Sequence, residues 1–336
     1  MSGSVVTYLF VGAVSIAVVT AEPHAAYHLR ALDPVLPAGV VLRHVVPSCS
    51  PRQGSSLIEA TDDITVVTQA SRLVTVGGGL SAWTANIAQV ANQAGVPVTY
   101  TQLAVLAAMP APPVIPVIDH VTAVSVHDAH LLADYFHVSV ADVTITGSPL
   151  LDEVASQSRR SENAQPGQSG VPRRVLLVGT SGLPERDRDM GLRDVGRHLR
   201  ATGWQVDVAL HPREQSRHLW DEFPHLPGPV LPAASTYDVV VMYPGTLTPL
   251  IAGLVPTVVY SPTAATEQEL PRAVRSAMPR WVRSRTEVFA AIRDFHTTPP
   301  IPHHCEQFTG PVGGAARRVV DAWCSGGAPR NFAAVA

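Results

Sequence analysis

The chain has 336 residues, room for two domains at about 150 residues each. Hydrophobic residues make up 46% and charged residues 15%, the balance of a globular protein with a large buried core. A net charge of −3 gives no basic footprint and argues against a nucleic-acid partner. The cations are all arginine, a bias that fits a GC-rich genome as well as any choice made for anion contacts.

Residues 5–21 form a nearly uncharged apolar run. It falls short of the roughly 20 residues a spanning helix needs, and it lacks a positive leading segment. Its Val, Ile, Thr and Tyr content points to buried β structure, with an export or membrane segment as the other reading. No stable membrane insertion is expected. Cys49, Cys305 and Cys324 are far apart and form no CxxC pair, so neither a zinc site nor a disulfide framework is indicated. A cytoplasmic setting is the default for such cysteine usage.

Val14–Thr20 reads as a strand, followed by a helix over His24–Leu32 and a strand over Val40–Val46. Ile64–Thr68 and Leu73–Val76 are short strand candidates. The second runs into Gly77-Gly78-Gly79, then a helix over Trp83–Ala94 capped by Gly95. Val96–Tyr100, Val121–Val126 and Val143–Thr146 are further strands, with a helix over Asp128–Phe136. Residues 156–172 are rich in Ser, Gln, Gly and Arg and mark a linker. The pattern predicts one domain over 1–155, a second over 173–325, and a frayed tail over 326–336.

The second half repeats the alternation. Val175–Val178 leads through Gly179-Thr180-Ser181-Gly182 into helical sequence ending near Arg200. Val206–Leu210 ends on His211-Pro212-Arg213, Val239–Met242 on Tyr243-Pro244-Gly245-Thr246, and Pro256–Tyr260 on Ser261-Pro262-Thr263. Helices are expected over Glu267–Met278, Glu287–Phe295 and Ala315–Trp323. Short apolar runs alternating with helices mean an α/β fold, two Rossmann-like domains of mainly parallel strands joined by crossover helices.

In such sheets ligands bind beyond the carboxyl ends of the strands. Gly179, Thr180, Ser181 and Gly182 join a strand to a helix, where free N–H groups favour an anion, though an ordinary βα turn has the same composition. Tyr243, Gly245, Thr246 and Thr248 form a second such loop, its threonines able to donate to phosphate or to cap the next helix. His211 and Arg213 follow a buried strand, where Arg213 could grip phosphate bidentately or pair with Glu214 or Asp221. Gly78, Gly79 and Ser81 could touch a ligand or serve packing. His303-His304-Cys305 resembles a metal cluster, but adjacent histidines diverge and no fourth ligand is suitably spaced, so no metal site is expected.

Four stretches together resemble the GT-B group of nucleotide-sugar glycosyltransferases, UDP-N-acetylglucosamine 2-epimerases and CDP-glycerol polyol-phosphate transferases. They are Val74–Tyr100, Ser125–Asp152, His211-Pro212-Arg213 and Tyr243–Val258, in family order. The resemblance implies two lobes facing across a cleft, with a nucleotide-diphosphate donor on the C-terminal lobe and a small acceptor on the N-terminal one. It implies donor contacts from the two glycine loops, acceptor contacts near Gly78, Gly79 and Ser81, and a catalytic base at His24 or Glu22. A base there would take the acceptor's proton as the nucleophile attacks the anomeric carbon. Glu22 and His24 could equally mark an exposed helix start, and Glu59, Asp62 and Asp63 compete for the role.

An inverting glycosyltransferase needing no cofactor is the leading expectation. The stretch Gly245–Leu250 holds no carboxylate, a departure from the epimerases. A polyol-phosphate transferase and a non-catalytic nucleotide-sugar-binding partner are the alternatives.

Overall fold

The structure is a computed structural model. It describes residues 14–20, 29–46, 58–77, 80–102, 115–152, 173–179, 185–211, 217–226, 228, 230–245, 247–263, 274, 280–297 and 306–325.

The first lobe contains β1 (Val14–Val19), β2 (Val40–Val45), β3 (Ile58–Thr61), α1 (Thr65–Thr68), β4 (Arg72–Val76) and α2 (Ala82–Gln93). It continues with β5 (Val98–Thr101), β6 (His120–Ala123), α3 (Val126–Phe136) and β7 (Val143–Ile145). The second lobe contains β8 (Arg174–Val178), α4 (Glu185–Ala201), β9 (Gln205–Ala209), α5 (Val230–Ala234), β10 (Val239–Met242) and α6 (Thr248–Ala252). It closes with β11 (Thr257–Tyr260), β12 (Trp281–Val282), α7 (Arg285–Thr297) and α8 (Glu306–Thr309); α9 (Ala315–Ser325) ends the described chain.

Both sheets are parallel throughout. The first runs β3-β2-β1-β4-β5-β6-β7 and the second β12-β11-β10-β8-β9. Helices cover both faces of a parallel sheet, so its strands read as continuous Val, Ile and Leu rather than alternating. One face of the second sheet buries Val175, Leu177, Val239 and Val241 under Leu192, Val195 and Val288 of α4 and α7. The other buries Leu176, Val178, Val240 and Met242 under Leu231, Leu250 and Ile251 of α5 and α6.

The apolar run over 5–21 contributes β1 in its described part, with Ile16–Val19 buried. Two local expectations change. Residues 65–68 form a helical turn rather than a strand. Asp63 accepts hydrogen bonds from the Thr65 N–H (2.9 Å) and hydroxyl (2.7 Å), a local side-chain turn that competes with β-branched strand propensity. β3 was not anticipated, because four residues with a glutamate inside carry little strand signal. The linker over 156–172 and the tail over 326–336 lie outside the described residues, as do most of the helices expected over 24–32 and 267–278.

The domain boundary also needs a correction at its far end. α9, assigned by sequence to the second domain, packs on the first sheet. Ala316, Val319, Val320 and Trp323 join Ile16, Val18, Leu42, Val74 and Val76 in one core. The Trp323 indole donates to the Thr101 hydroxyl at 2.8 Å. Full burial of each large apolar side chain stabilises by about 1.5–3 kcal/mol, so the helix is held firmly. In exchange, Leu150 and Leu151 enter the core of the second lobe.

The chain therefore crosses between lobes twice, and the two crossings are bonded together. The Asp152 carboxylate accepts from the N–H groups of Gly313 (2.7 Å) and Ala316 (3.2 Å), capping α9 from 161 and 164 residues away. Arg318 donates to the carbonyls of Thr146 (2.8 Å), Gly313 (2.7 Å) and Pro311 (2.9 Å). Gly310 has φ +68, and a Cβ there would strike the Val124 carbonyl and lie 2.8 Å from the Gly147 Cα.

Gly310→Ala is expected to destabilise by at least about 2 kcal/mol, combining left-handed strain with a clash against backbone that cannot swing away. An unchanged urea midpoint would refute the close approach. A second expectation concerns acid. His44 on β2 is 3% exposed, and neither ring nitrogen has a hydrogen-bond partner. Burial pulls its pKa from 6.5 to about 4. The folded chain then binds fewer protons than the unfolded one, so the contribution is present above pH 6.5 and is lost as pH falls toward 4. His44→Leu should flatten the fall in unfolding midpoint over that window; identical pH profiles would contradict the assignment.

Candidate functional site

In the second sheet β8 lies between β9 and β10, so the crossovers leaving its two sides run in opposite directions. That arrangement creates a switch point between the carboxyl ends of β8 and β10, where α/β sheets bind ligands. The Tyr243 N–H donates to the Val178 carbonyl at 3.2 Å, and the Gly179 N–H to the Ala209 carbonyl at 3.1 Å. These bonds gather the loops after β8, β9 and β10 at one edge. Gly179, His211, Tyr243 and Gly245 lie on those loops or at their starts. Thr180, Ser181, Gly182, Arg213 and Thr246 lie outside the described residues.

The two described glycines are informative because the fold makes no demand for them. Neither adopts a left-handed φ. A Cβ on Gly245 would meet nothing within 4 Å, and one on Gly179 would make only ordinary contacts, at 3.9 Å to Leu210 and 4.0 Å to the Ala209 carbonyl. Their missing side chains therefore leave room outside the protein's own packing, as a close backbone approach to a ligand requires. The loop after β8 also feeds α4, a 17-residue helix whose positive dipole end adjoins it.

Two of the predicted residues have a different task from the one expected. Thr248 is 0% exposed, and its hydroxyl accepts from the Gly245 N–H at 2.9 Å while its own N–H donates to the Gly245 carbonyl at 2.9 Å. Tyr243 is 1% exposed and stacks on Tyr260 with ring centroids 5.7 Å apart. Both shape the loop from within, because burial closes them to an external anion. Gly191 of α4 lies against this tyrosine pair; a Cβ there would sit 3.0 Å from the Tyr260 hydroxyl. Sequence reasoning missed Gly191 and Tyr260, whose signals were a glycine inside a helical pattern and a tyrosine at a strand end.

On the first sheet the corresponding switch point lies between β1 and β4. Glu22 and His24 follow β1, and Gly78 and Gly79 follow β4, but all four lie outside the described residues. The Tyr100 hydroxyl holds the Gly77 carbonyl at 2.9 Å, fixing the start of the glycine loop. Ser81 caps α2, accepting from the Thr84 N–H at 3.1 Å, so its hydroxyl is engaged in the fold.

Among the described residues no three His, Cys, Asp or Glu side chains are grouped to hold a metal, and no helix is long and apolar enough to cross a membrane. His303-His304-Cys305 lies outside them. A groove of about 570 Å³ follows Trp281, Glu287 and Asp294 along β12 and α7. It sits at the sheet's outer edge, three strands from β8, and is separate from the switch point.

No protein-family model and no curated protein matches the sequence. Solved structures do match the fold. A UDP-bound MnaA structure from S. aureus has a TM-score of 0.60 at 13% identity, over 92% of this chain and 96% of that one. The UDP-GlcNAc 2-epimerase of Neisseria meningitidis bound to UDP-GlcNAc has a TM-score of 0.59 at 12% identity, over 93% and 100%. A variant of the wall teichoic acid polymerase TagF has a TM-score of 0.62 at 11% identity, over 91% and 88%. With two parallel-sheet lobes, a doubly crossed junction and this likeness along nearly its whole length, the chain has the GT-B fold.

Proposed function

We propose that this protein acts on a nucleotide-diphosphate sugar, binding the diphosphate at the carboxyl ends of β8 and β10 and transferring the sugar to a small acceptor bound on the first lobe. The observation that carries the reading is that Gly179 and Gly245 follow the two strands at the switch point, with open space beside Gly245 and no crowding at Gly179. The neighbours in fold, crystallised with UDP and UDP-GlcNAc, support the same ligand class.

Negative charge builds on the diphosphate as it leaves, so its stabilisation is the main catalytic task of this lobe. The amides of Thr180, Ser181 and Gly182, the dipole of α4, the Thr246 hydroxyl and Arg213 are the groups assigned to it. His24 or Glu22, beyond β1, is assigned as the base that takes the acceptor's proton. No metal is required in this scheme.

A second reading is 2-epimerisation of the sugar, favoured by the epimerases among the fold neighbours. Against it, Gly245–Leu250 holds no carboxylate.

Thermal shifts with UDP, GDP, TDP and CDP test the donor site. One nucleotide is expected to stabilise the protein, by about 2.7 kcal/mol at a hundredfold excess over its Kd, and no shift with any of them would remove the reading. Nucleotide release that depends on added acceptor indicates transfer; sugar inversion without release indicates epimerisation. Gly245→Ala is expected to leave stability level or slightly higher, since φ and space permit a methyl, while weakening nucleotide binding about tenfold. Unchanged affinity would take this loop out of the site. His24→Ala should abolish turnover with nucleotide affinity intact; full activity would exclude it as the base.

A further inference from the structure

Glycine inside a helix is unfavourable against alanine, so Gly191 and Gly196 in α4 call for a reason. Gly196 has one in the core. A Cβ there would lie 2.7 Å from Leu177 and 2.8 Å from Phe223, so its absence lets α4 settle on the sheet. Gly191 meets something else. A Cβ there would lie 3.0 Å from the Tyr260 hydroxyl, 3.2 Å from Tyr260 Cε1 and 3.5 Å from the Tyr243 hydroxyl. Both tyrosines are buried and stacked on each other at the carboxyl ends of β10 and β11, on the side of the sheet where the switch point lies.

The place of Gly191 along the helix matters. Beyond it α4 is tied down: Arg193 and Arg197 donate to Glu222 at 2.9 and 2.7 Å, and Asp194 accepts from Arg285 of α7 at 2.6 Å. Gly191 precedes these ties, six residues, or about 9 Å, from Glu185 at the amino end. Tyr243 in turn opens the loop after β10. Its N–H is fixed on the Val178 carbonyl of β8, and the Gly245–Thr248 bonds close the loop it starts. A bulkier residue at 191 has two ways to fit. Either α4 lifts, which moves the helix end adjoining the loop after β8, or the tyrosines retreat, which presses on the loop after β10. Both movements fall on the candidate site.

We infer that Gly191 is a positioning residue for the donor site: its bare backbone seats α4 on the Tyr243–Tyr260 pair and so sets the helix end against the loop after β10. The inference rests on the proposed function for the identity of the ligand. Gly191 acts through its neighbours. The field of a helix end falls off within its first turn, so a small displacement there changes its hold on a diphosphate.

The test is a double-mutant cycle on the full chain with Gly191→Ala, Tyr260→Phe and the two combined. It measures affinity for UDP, GDP, TDP and CDP, melting temperature, and amide exchange at Gly245 and along the first two turns of α4. Tyr260→Phe keeps the stacked ring and removes only the oxygen nearest a Cβ at 191. Gly191→Ala is expected to weaken binding of the preferred nucleotide about three- to tenfold and to speed exchange at one or both places. The combined variant should recover most of both losses. Rescue is the readout that a merely structural glycine would not give, since a chain that only unfolds more easily is not mended by trimming a second side chain. Wild-type affinity and wild-type exchange in Gly191→Ala would overturn the inference, whatever the melting temperature. So would a loss that Tyr260→Phe leaves unrepaired. If none of the four nucleotides binds the wild type, the proposed function falls and the exchange arm alone decides: unchanged exchange in Gly191→Ala refutes the seat, and faster exchange mended by Tyr260→Phe sustains it.

Discussion

The structure depends on the place where backbone meets backbone between the two crossings. Gly310, Val124 and Gly147 approach so closely that no side chain fits between them. Around that contact Asp152 caps α9 and Arg318 ties three carbonyls. Everything that can act as a site in this fold lies beyond the carboxyl ends of two parallel sheets. The two crossings fix one lobe to the other at that level, because one leaves the end of β7 and the other returns into α9 beside it. If only a flexible linker joined the lobes, their strand ends would have no defined relation.

Much of the sheet architecture was legible in the sequence, for a physical reason. Parallel strands buried on both faces require continuous apolar runs, and Val175–Val178, Val239–Met242 and Thr257–Tyr260 supply them. Glycine at 95 and 203 punctuates as expected, each with positive φ in open space. What escaped was decided at longer range. α9 looks like the natural end of the second lobe in sequence, and only three-dimensional packing of Trp323 on the first sheet reveals its true partner. α1 escaped because one carboxylate, Asp63, redirects a β-branched segment into a helical turn.

The candidate site was legible in position more than in chemistry. The sequence places a glycine loop after each of two strands, and the topology sets those strands side by side. It does not say which polar residue faces outward. Thr248 and Tyr243 carry the functional groups a phosphate would want, yet both are spent inside the loop. Gly179 and Gly245 carry no functional group, yet neither is crowded, and beside Gly245 the space is open. Residue type alone does not separate these roles, because a hydroxyl serves both a cap and a ligand contact.

The same distinction separates the two ends of the second lobe. Near the amino ends of its strands, Asp207 accepts from the Tyr237 hydroxyl at 2.8 Å and from Arg174 at 3.3 Å, and Arg174 lies over the Tyr237 ring. There the polar atoms of a charged cluster are matched to one another, and burial together with the Asp207 partnership pushes Tyr237 up to about 12. That is what a structural polar network looks like when nothing else must bind to it. At the carboxyl ends, by contrast, a Cβ on Gly245 in the loop after β10 would meet nothing within 4 Å.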